Sequence, residues 1–416
     1  MRKFIASLLS IAIAILVAGG CTSTSDSGLT INQLMADRGI NVPPYPMDAY
    51  RVFDEGLLPV SDGHLLHYSQ AGNPEGPVVV FAHGGPGGGA TDGARQAYNP
   101  DFYRIVLVDQ RGAGKSKAPP EGLLYENTMP KIVEDMEALR KHIGVEKWIL
   151  SGGSSGSTVA LLYAIAHPDR VLAMNVHGIT FLTRAELKWT GWVASDIWAD
   201  EWHRLKNLRD ENGKRILSKE DVSSFDAFVA AGYREVVEKE NRKFAFSALN
   251  MGMRQTQIDP HGPETNIGGD GAFRMAQIIW HMWYHKSFLP KNYVSENLHK
   301  IKDIPGFIEA GRYDTNTVLK SAWELHMAWP KASLLIYTGA HADTGEYNRW
   351  SFRVLESALR RWQREGEKSL SITREDFERE QWAVFRKSLD TYYLKPGLDL
   401  PEEKQAPAPV SKPTGF

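Results

Sequence analysis

Short apolar runs alternate with amphipathic segments through the first half of the chain. Four of these runs are uninterrupted, as in strands that are buried on both faces, and they lie at 78–81, 105–108, 148–150 and 171–174. Between them, 131–143 carries apolar residues at helical spacing, and 158–166 predicts a second, apolar helix. This alternation predicts an α/β fold with a mostly parallel sheet flanked by helices.

Other patterns mark the borders of that sheet domain. A β-hairpin is predicted over 52–70, because Asp-Gly within 61–63 separates two β-prone runs. From 185 to 290 the rhythm breaks into helix-like stretches, and strands return at 307–310 and 334–337. We therefore expect a helical cap over 185–290 inserted between core segments 46–184 and 291–390, followed by a disordered tail over 391–416. Six of the twelve tryptophans lie in the cap: Trp189, Trp192, Trp198, Trp202, Trp280 and Trp283.

Composition narrows the class of protein. The chain has 416 residues, of which 42% are hydrophobic and 24% are charged, as in an ordinary globular enzyme. The 48 basic and 50 acidic residues leave a net charge of −2, and no basic block is present that would follow a phosphate backbone. Nucleic acid is therefore not an expected partner, and the sequence leaves the oligomeric state open.

The N-terminus predicts export. Residues 1–20 combine a basic start, an apolar stretch and small residues, as in a signal peptide. The apolar stretch has about 15 residues, which is shorter than the roughly 20 that a transmembrane helix needs. Residues 17–21 read VAGGC and resemble a bacterial lipobox, which implies lipid attachment at Cys21 and a polar tether over 21–45. Cys21 is the single cysteine, so an intramolecular disulfide is excluded. The resemblance implies a membrane-anchored, periplasm-facing lipoprotein, in the outer membrane rather than the inner, because no Asp follows Cys21.

A candidate nucleophile follows the predicted strand at 148–150. Residues 152–156 read GGSSG and match G-x-S-x-G, and the predicted helix begins directly after them. The glycines leave room for a sharp turn that exposes Ser154, and the helix N-terminus favours developing negative charge. This strand, turn and helix context indicates the nucleophile elbow of the α/β-hydrolase fold.

A serine nucleophile needs a histidine to accept its proton and a carboxylate to orient that histidine. In this fold the three residues occur in the order Ser, Asp, His. Asp314 follows the predicted strand 307–310 and His341 follows 334–337, so both lie at strand ends, where ligands bind in parallel sheets. Asp343 competes for the role of the acid, but two residues after the histidine is a poor position from which to reach its ring. We predict a triad of Ser154, Asp314 and His341.

A glycine-rich loop, HGGPGGG at 83–89, follows the predicted strand 78–81. Such a loop brings bare backbone N–H groups beside the nucleophile, so we assign the oxyanion hole to the N–H groups of Gly85 and Ser155. A phosphate-binding loop is the alternative, but G-x-x-x-x-G-K-[ST] is not matched. No histidine, cysteine or acidic cluster has metal-ligand spacing outside the triad region, so no metal or other cofactor is expected.

Together these motifs resemble the proline iminopeptidase (prolyl aminopeptidase) family over about residues 50–363. The matching segments are 83–89, DQRGAGKS at 109–116, ENT at 126–128, GGSSGST at 152–158, GRYD at 311–314 and GAH at 339–341. The resemblance implies release of an N-terminal proline, or another small residue, through an acyl-enzyme on Ser154.

The cap departs from the family pattern. The family usually has Trp directly after the nucleophile, where this chain has Ser155. The family's cap glutamates, which bind the substrate amine, align with Asn250 and Ile279. Together with Trp280 and Trp283, these two residues are candidate substrate contacts. A buried ammonium without a carboxylate would lose several kcal/mol to desolvation. An esterase or amidase acting on neutral or N-blocked substrates therefore remains an alternative, and a catalytically inactive binding protein is a third.

Overall fold

The computed structural model describes residues 42–257 and 267–398. These residues belong to one compact unit. The predicted signal peptide and Cys21 lie outside the described residues. Among the described residues, no helix is long and apolar enough to cross a bilayer.

A sheet of nine strands forms the centre of the fold, in the order β1-β2-β4-β3-β5-β6-β7-β8-β9. The strands are β1 Val52–Pro59, β2 Leu65–Gly72, β3 Val78–Ala82, β4 Arg104–Val108, β5 Trp148–Gly153, β6 Val171–His177, β7 Gly306–Gly311, β8 Ala332–Tyr337 and β9 Leu389–Tyr393. The pairings from β4 through β3 to β8 are parallel, whereas β1, β2 and β9 add antiparallel edges. Every residue of β5, β7 and β8 is buried, as the uninterrupted apolar runs predict.

The helices fall into a core set and a cap set. The core helices are α1 Met129–His142, α2 Ser155–Ala166, α8 Tyr293–Asn297, α9 Leu319–Ala328, α10 Gly345–Glu365, α11 Arg374–Arg379 and α12 Trp382–Phe385. The cap helices, between β6 and β7, are α3 Arg184–Gly191, α4 Ala199–Lys206, α5 Phe225–Tyr233, α6 Arg242–Arg254 and α7 Gly269–Tyr284. The mostly parallel sheet with flanking helices and an inserted helical cap agrees with the predicted fold class.

Two predicted boundaries need correction. The tail was expected to be disordered from 391, but β9 continues to Tyr393 because its backbone pairs with β8, as in Leu334 with Tyr393. The tether was expected to reach 45, but Val42 is buried and its carbonyl accepts a hydrogen bond of 2.6 Å from Arg349 Nε on α10. The sheet domain therefore includes 42–45 at one end and 391–398 at the other.

A buried ion pair fixes the loop that follows β4. The Arg111 guanidinium donates to both carboxylate oxygens of Asp135 on α1, at 2.6 and 2.8 Å, and both side chains are almost fully buried. Two parallel bonds give this pair a defined geometry. It anchors the DQRGAGKS segment beside the glycine-rich loop that follows β3.

Candidate active site

Ser154 lies on a tight turn between β5 and α2. Its φ of 56° and ψ of −132° are outside the ordinary regions for a residue with a side chain, and such strain concentrates at functional sites. Neighbouring glycines make the turn possible, since a Cβ on Gly152 would lie 2.4 Å from the Gly156 carbonyl oxygen. A Cβ on Gly156 would in turn lie 2.0 Å from the carbonyl oxygen of Ala82 on β3. The GGSSG pattern thus serves the packing of the turn, and Ser154 lines a cavity.

The histidine and the carboxylate come from the ends of β8 and β7. His341 Nδ1 lies 2.7 Å from Asp314 Oδ2, and Asp314 is buried. The backbone N–H groups of Asn316 and Thr317 donate to Asp314 Oδ1 at 2.8 Å each, and Thr317 Oγ1 donates to Oδ2 at 2.6 Å. With Nδ1 bonded to the carboxylate, Nε2 is the ring nitrogen left for Ser154, which lines the same cavity as His341.

Asp343 has a different role from Asp314. Its Oδ2 accepts a hydrogen bond of 2.7 Å from the Ala340 N–H, so it braces the turn that carries His341. The ring of His341 is oriented from the Asp314 side.

The two residues predicted to form the oxyanion hole both lie near the nucleophile. Gly85 lines the cavity together with Ser154, and Ser155 is the first residue of α2. Gly85 has a φ of 126°, and a Cβ there would lie 2.6 Å from the Gly88 nitrogen, so the loop requires glycine at this position. The neighbouring Gly84 packs so closely that a Cβ on it would lie 3.0 Å from Ser154 Cβ. The bare backbone of the loop therefore passes directly beside the nucleophile.

The His83 side chain connects the glycine-rich loop to the segment that follows β4. Its Nδ1 lies 2.9 Å from the Gly84 carbonyl oxygen, and the Gln110 N–H points at its Nε2 at 3.0 Å. The Gln110 N–H requires an acceptor at Nε2, so the ring is neutral with its proton on Nδ1, which faces the Gly84 carbonyl; the Gly89 N–H also lies 3.2 Å from Nδ1. Burial lowers the pKa of His83, which keeps the ring in that neutral form.

Two further residues, His177 and Gly178, lie beside Ser154 and His341 and were not predicted from the sequence. His177, the last residue of β6, is so close to the elbow that a Cβ on Gly153 would lie 2.0 Å from its Nε2. Burial, and secondarily the His341 ring, lower the pKa of His177 to about 4, so it is neutral at neutral pH. Gly178 has a φ of 54°, and a Cβ there would lie 2.6 Å from His341 Cε1. Their place at the end of the strand between β5 and β7 is the signal that could have identified them.

The cavity above Ser154 has a volume of about 320 Å³ and a mostly apolar wall. Three of the four predicted cap contacts, Ile279, Trp280 and Trp283, lie on it. The other wall residues from the cap are Thr190, Gly191, Phe228, Ala248, Leu249, Met251, Gly252, Met253, Gln255, Thr256 and Met275. Among the described residues, no aspartate or glutamate lines the cavity.

Asn250 does not line the cavity, contrary to its prediction as a substrate contact. Its amide nitrogen donates to the Phe246 carbonyl at 2.8 Å, and its amide oxygen accepts from the Ile267 N–H at 3.4 Å. These contacts use the side chain to connect α6 with the start of the next cap segment. The family resemblance thus selected a helix that does line the cavity, α6, but at a position whose side chain lies on another face of that helix.

The other four cap tryptophans pack within the cap or against the loop that carries Asp314. Trp189 and Trp198 donate from Nε1 to the carbonyl oxygen and the hydroxyl of Thr315, at 3.0 and 3.1 Å. Trp192 and Trp202 pack edge to face with ring centroids 5.6 Å apart. Two of these residues therefore connect the cap to the segment next to Asp314, and two fill its core.

Known proteins identify the family. Residues 77–343 match the family model described as alpha/beta hydrolase fold. The proline iminopeptidase of Arabidopsis thaliana is 37% identical over 300 residues, which cover 70% of this chain and 75% of that protein. The proline iminopeptidase of Xylella fastidiosa strain Temecula1 is 38% identical over 295 residues, which cover 69% and 90%. An esterase from Exiguobacterium antarcticum matches the fold with a TM-score of 0.51 and 17% identity, over 74% of this chain and all (100%) of that one. The chain thus belongs to the proline iminopeptidase family of hydrolases, within the alpha/beta hydrolase fold.

Proposed function

We propose that the protein cleaves amide or ester bonds through an acyl-enzyme on Ser154. His341 takes the Ser154 proton through Nε2 as the hydroxyl attacks the substrate carbonyl, and Asp314 keeps the proton of Nδ1 in place. The N–H groups of Gly85 and Ser155 stabilise the tetrahedral oxyanion. The observation that carries the proposal is the strained Ser154 in one cavity with His341, whose Nδ1 is 2.7 Å from buried Asp314.

The acyl group in this proposal is an N-terminal proline or another small residue. The relatives named proline iminopeptidase support it, since they match about 70% of this chain. The wall next to Ser154 also supports it, because the apolar side chains of Leu249, Met251 and Ile279 suit an aliphatic ring. Protonated His341 gives its proton to the leaving amine, and neutral His341 then takes a proton from the water that attacks the acyl-enzyme and returns it to the Ser154 oxygen as the acyl bond breaks.

A second candidate is hydrolysis of neutral or N-blocked substrates, including esters. The described part of the cavity wall carries no carboxylate, and Ile279 occupies a position where the resemblance implies a glutamate. A protonated amine buried there would lack a counter-charge and would lose several kcal/mol of binding free energy.

The experiment that separates the candidates compares three chromogenic substrates on the purified full-length protein. These are L-prolyl p-nitroanilide, N-acetyl-L-prolyl p-nitroanilide and p-nitrophenyl butyrate. A higher kcat/KM for the free amine supports the aminopeptidase, and a higher kcat/KM for the acylated amide or the ester supports the second candidate. Ser154→Ala should abolish turnover of all three, and full activity in that variant would refute the proposed mechanism.

The proposal also includes the cellular location. We infer from the VAGGC motif that Cys21 is lipidated and that the enzyme is anchored in a bacterial membrane facing the periplasm, the outer membrane rather than the inner. The full chain, expressed in bacteria fed labelled palmitate, should carry the label and sediment with membranes. Cys21→Ser should lose both properties, and a labelled or membrane-bound Cys21→Ser variant would contradict lipidation at this cysteine.

A further inference from the structure

The residues that follow Asp314 form a short loop, 314–317, which we call the acid loop. Within it, the N–H groups of Asn316 and Thr317 donate to Asp314 Oδ1 at 2.8 Å each. A carboxylate bonded in this way to the next two residues is fixed relative to its own backbone. The direction in which Asp314 faces His341 therefore depends on what holds the acid loop.

Thr315 connects the acid loop to the cap through three hydrogen bonds. Its hydroxyl accepts from Trp198 Nε1 at 3.1 Å and donates to the Gln255 carbonyl at 3.0 Å. Its own carbonyl accepts from Trp189 Nε1 at 3.0 Å. Trp189 lies on α3, Trp198 directly precedes α4, and Gln255 directly follows α6. Three cap helices thus converge on the residue next to the catalytic acid.

Two neighbouring bonds reinforce this connection. Thr190 Oγ1 on α3 donates to the Asn316 carbonyl at 2.7 Å. The Ala342 N–H, next to His341, donates to the Thr256 carbonyl at 3.0 Å. The acid and the base are therefore both flanked by residues that are bonded to the cap. Because a misplacement of about 1 Å in a catalytic group can cost on the order of 10²-fold in rate, these bonds bear on turnover.

The Thr315 hydroxyl is the part of this connection that a small substitution can remove. It is the centre of a chain in which one hydrogen bond enters and another leaves, and such bonds polarise and strengthen each other. Among the residues that the structure describes, Trp189, Trp198 and Thr315 are not part of the cavity wall. A change in them reaches the reaction through the acid loop and not through contact with the substrate.

We propose that Thr315 is a positioning residue for the catalytic acid, through which the docked cap holds Asp314 in line with His341. The inference rests on the acyl-enzyme function proposed above and goes beyond it, because it makes turnover depend on the contact between the cap and the acid loop. The cap thus has a second role besides forming the cavity wall.

The first test is Thr315→Val, which keeps the shape of the side chain and removes the hydroxyl. On the chromogenic substrate that the wild type hydrolyses fastest, kcat should fall about tenfold or more, while KM should stay within about threefold. Reaction with diisopropyl fluorophosphate, a small probe of the reactivity of Ser154, should slow by a similar factor. Thr315→Ser keeps the hydroxyl and should hold both rates within about threefold of the wild type.

The second test removes the partner on the cap side. Trp198→Phe loses the N–H that bonds to the Thr315 hydroxyl and should lower kcat as well. The double variant should be no more than about twofold slower than Thr315→Val, because both changes break the same bond. Trp192→Phe is the matched control, since the Trp192 ring packs against Trp202 and Phe228 within the cap. Its kcat should stay within about twofold of the wild type.

The outcomes separate the role of Thr315 from the proposed function. If the wild type is active and Thr315→Val lowers the unfolding midpoint but leaves kcat unchanged, Thr315 has only a structural role and the inference is wrong. Losses that multiply in the double variant would also overturn it. If Thr315→Val does not fold by circular dichroism, Trp198→Phe against Trp192→Phe decides. If the wild type hydrolyses no substrate and does not react with the fluorophosphate, the proposed function fails, and the role of Thr315 fails with it.

Discussion

Replacing Asp314 by asparagine should slow the chemical step about 10⁴-fold while the protein stays folded. The structure dictates how the asparagine must sit. Two backbone N–H groups, from Asn316 and Thr317, point at the Oδ1 position from 2.8 Å and require an acceptor there. The amide oxygen therefore takes that position, and the amide NH₂ takes the Oδ2 position, which lies 2.7 Å from His341 Nδ1.

A donor facing Nδ1 reverses the tautomer of the ring. Nδ1 becomes an acceptor and Nε2 carries the proton, so His341 can no longer take the proton of Ser154. The same carboxylate-to-amide change in other serine hydrolase triads lowers kcat about 10⁴-fold, which corresponds to about 5 kcal/mol of transition-state stabilisation. The Thr317 hydroxyl, now donating to Oδ2 at 2.6 Å, can rotate to accept from the new NH₂ group, so the fold should lose little stability.

The assay is kcat at neutral pH on the chromogenic substrate that the wild type hydrolyses fastest, with circular dichroism as the check on folding. Asp343→Asn is the control, because Asp343 contacts the Ala340 N–H at 2.7 Å and leaves the ring to Asp314. We expect Asp343→Asn to keep kcat within about tenfold of the wild type. A folded Asp314→Asn variant with more than about a tenth of wild-type kcat would refute the tautomer argument.

Two further predictions concern a buried carboxyl and a glycine. Glu309→Gln should raise the free energy of unfolding by up to about 3 kcal/mol at pH 8 and by little at pH 4.5. Burial raises the pKa of Glu309 from 4.5 to about 7, so the wild-type protein loses free energy of unfolding as the pH rises between those two values. Urea titrations that give the same gain for Glu309→Gln at both pH values would contradict this. Gly178→Ala should remove most turnover, because its Cβ would lie 2.6 Å from His341 Cε1. Gly144→Ala, also at positive φ but in open space, should leave kcat unchanged, and equal losses in both variants would show that backbone strain alone is responsible.

The sheet, the turn at Ser154 and the placement of Asp314 beside His341 are the features that the sequence predicts best. Buried parallel strands read as uninterrupted apolar runs, and the elbow is a local turn whose glycines follow from close packing. Asp314 and His341 were predicted because strand ends converge at one edge of a parallel sheet. His177 also ends a strand, which is a signal that the sequence offers, but no motif nearby in the chain supports it, and its contact with the turn at Ser154 follows from the tertiary structure.

The cap was predicted only as a helical insertion. Which face of an amphipathic helix lines the cavity depends on how the helix docks, and the sequence pattern does not contain that information. Gln255 is five positions after Asn250, which places the two residues about 140° apart around a helix, so Asn250 can bond within the cap while Gln255 lines the cavity. β9 was missed because a five-residue edge strand with one exposed and three half-buried positions has a weak hydrophobic pattern and is defined by its pairing with β8.

Covalent labelling by a fluorophosphonate, with the labelled peptide identified by mass spectrometry, shows directly which residue is the nucleophile. The wild type should lose activity in proportion to labelling, with one equivalent bound at Ser154. His341→Ala should label far more slowly, because the hydroxyl loses its base. Labelling at another residue, or turnover that persists once Ser154 is fully labelled, would contradict the central claim that Ser154 is the nucleophile.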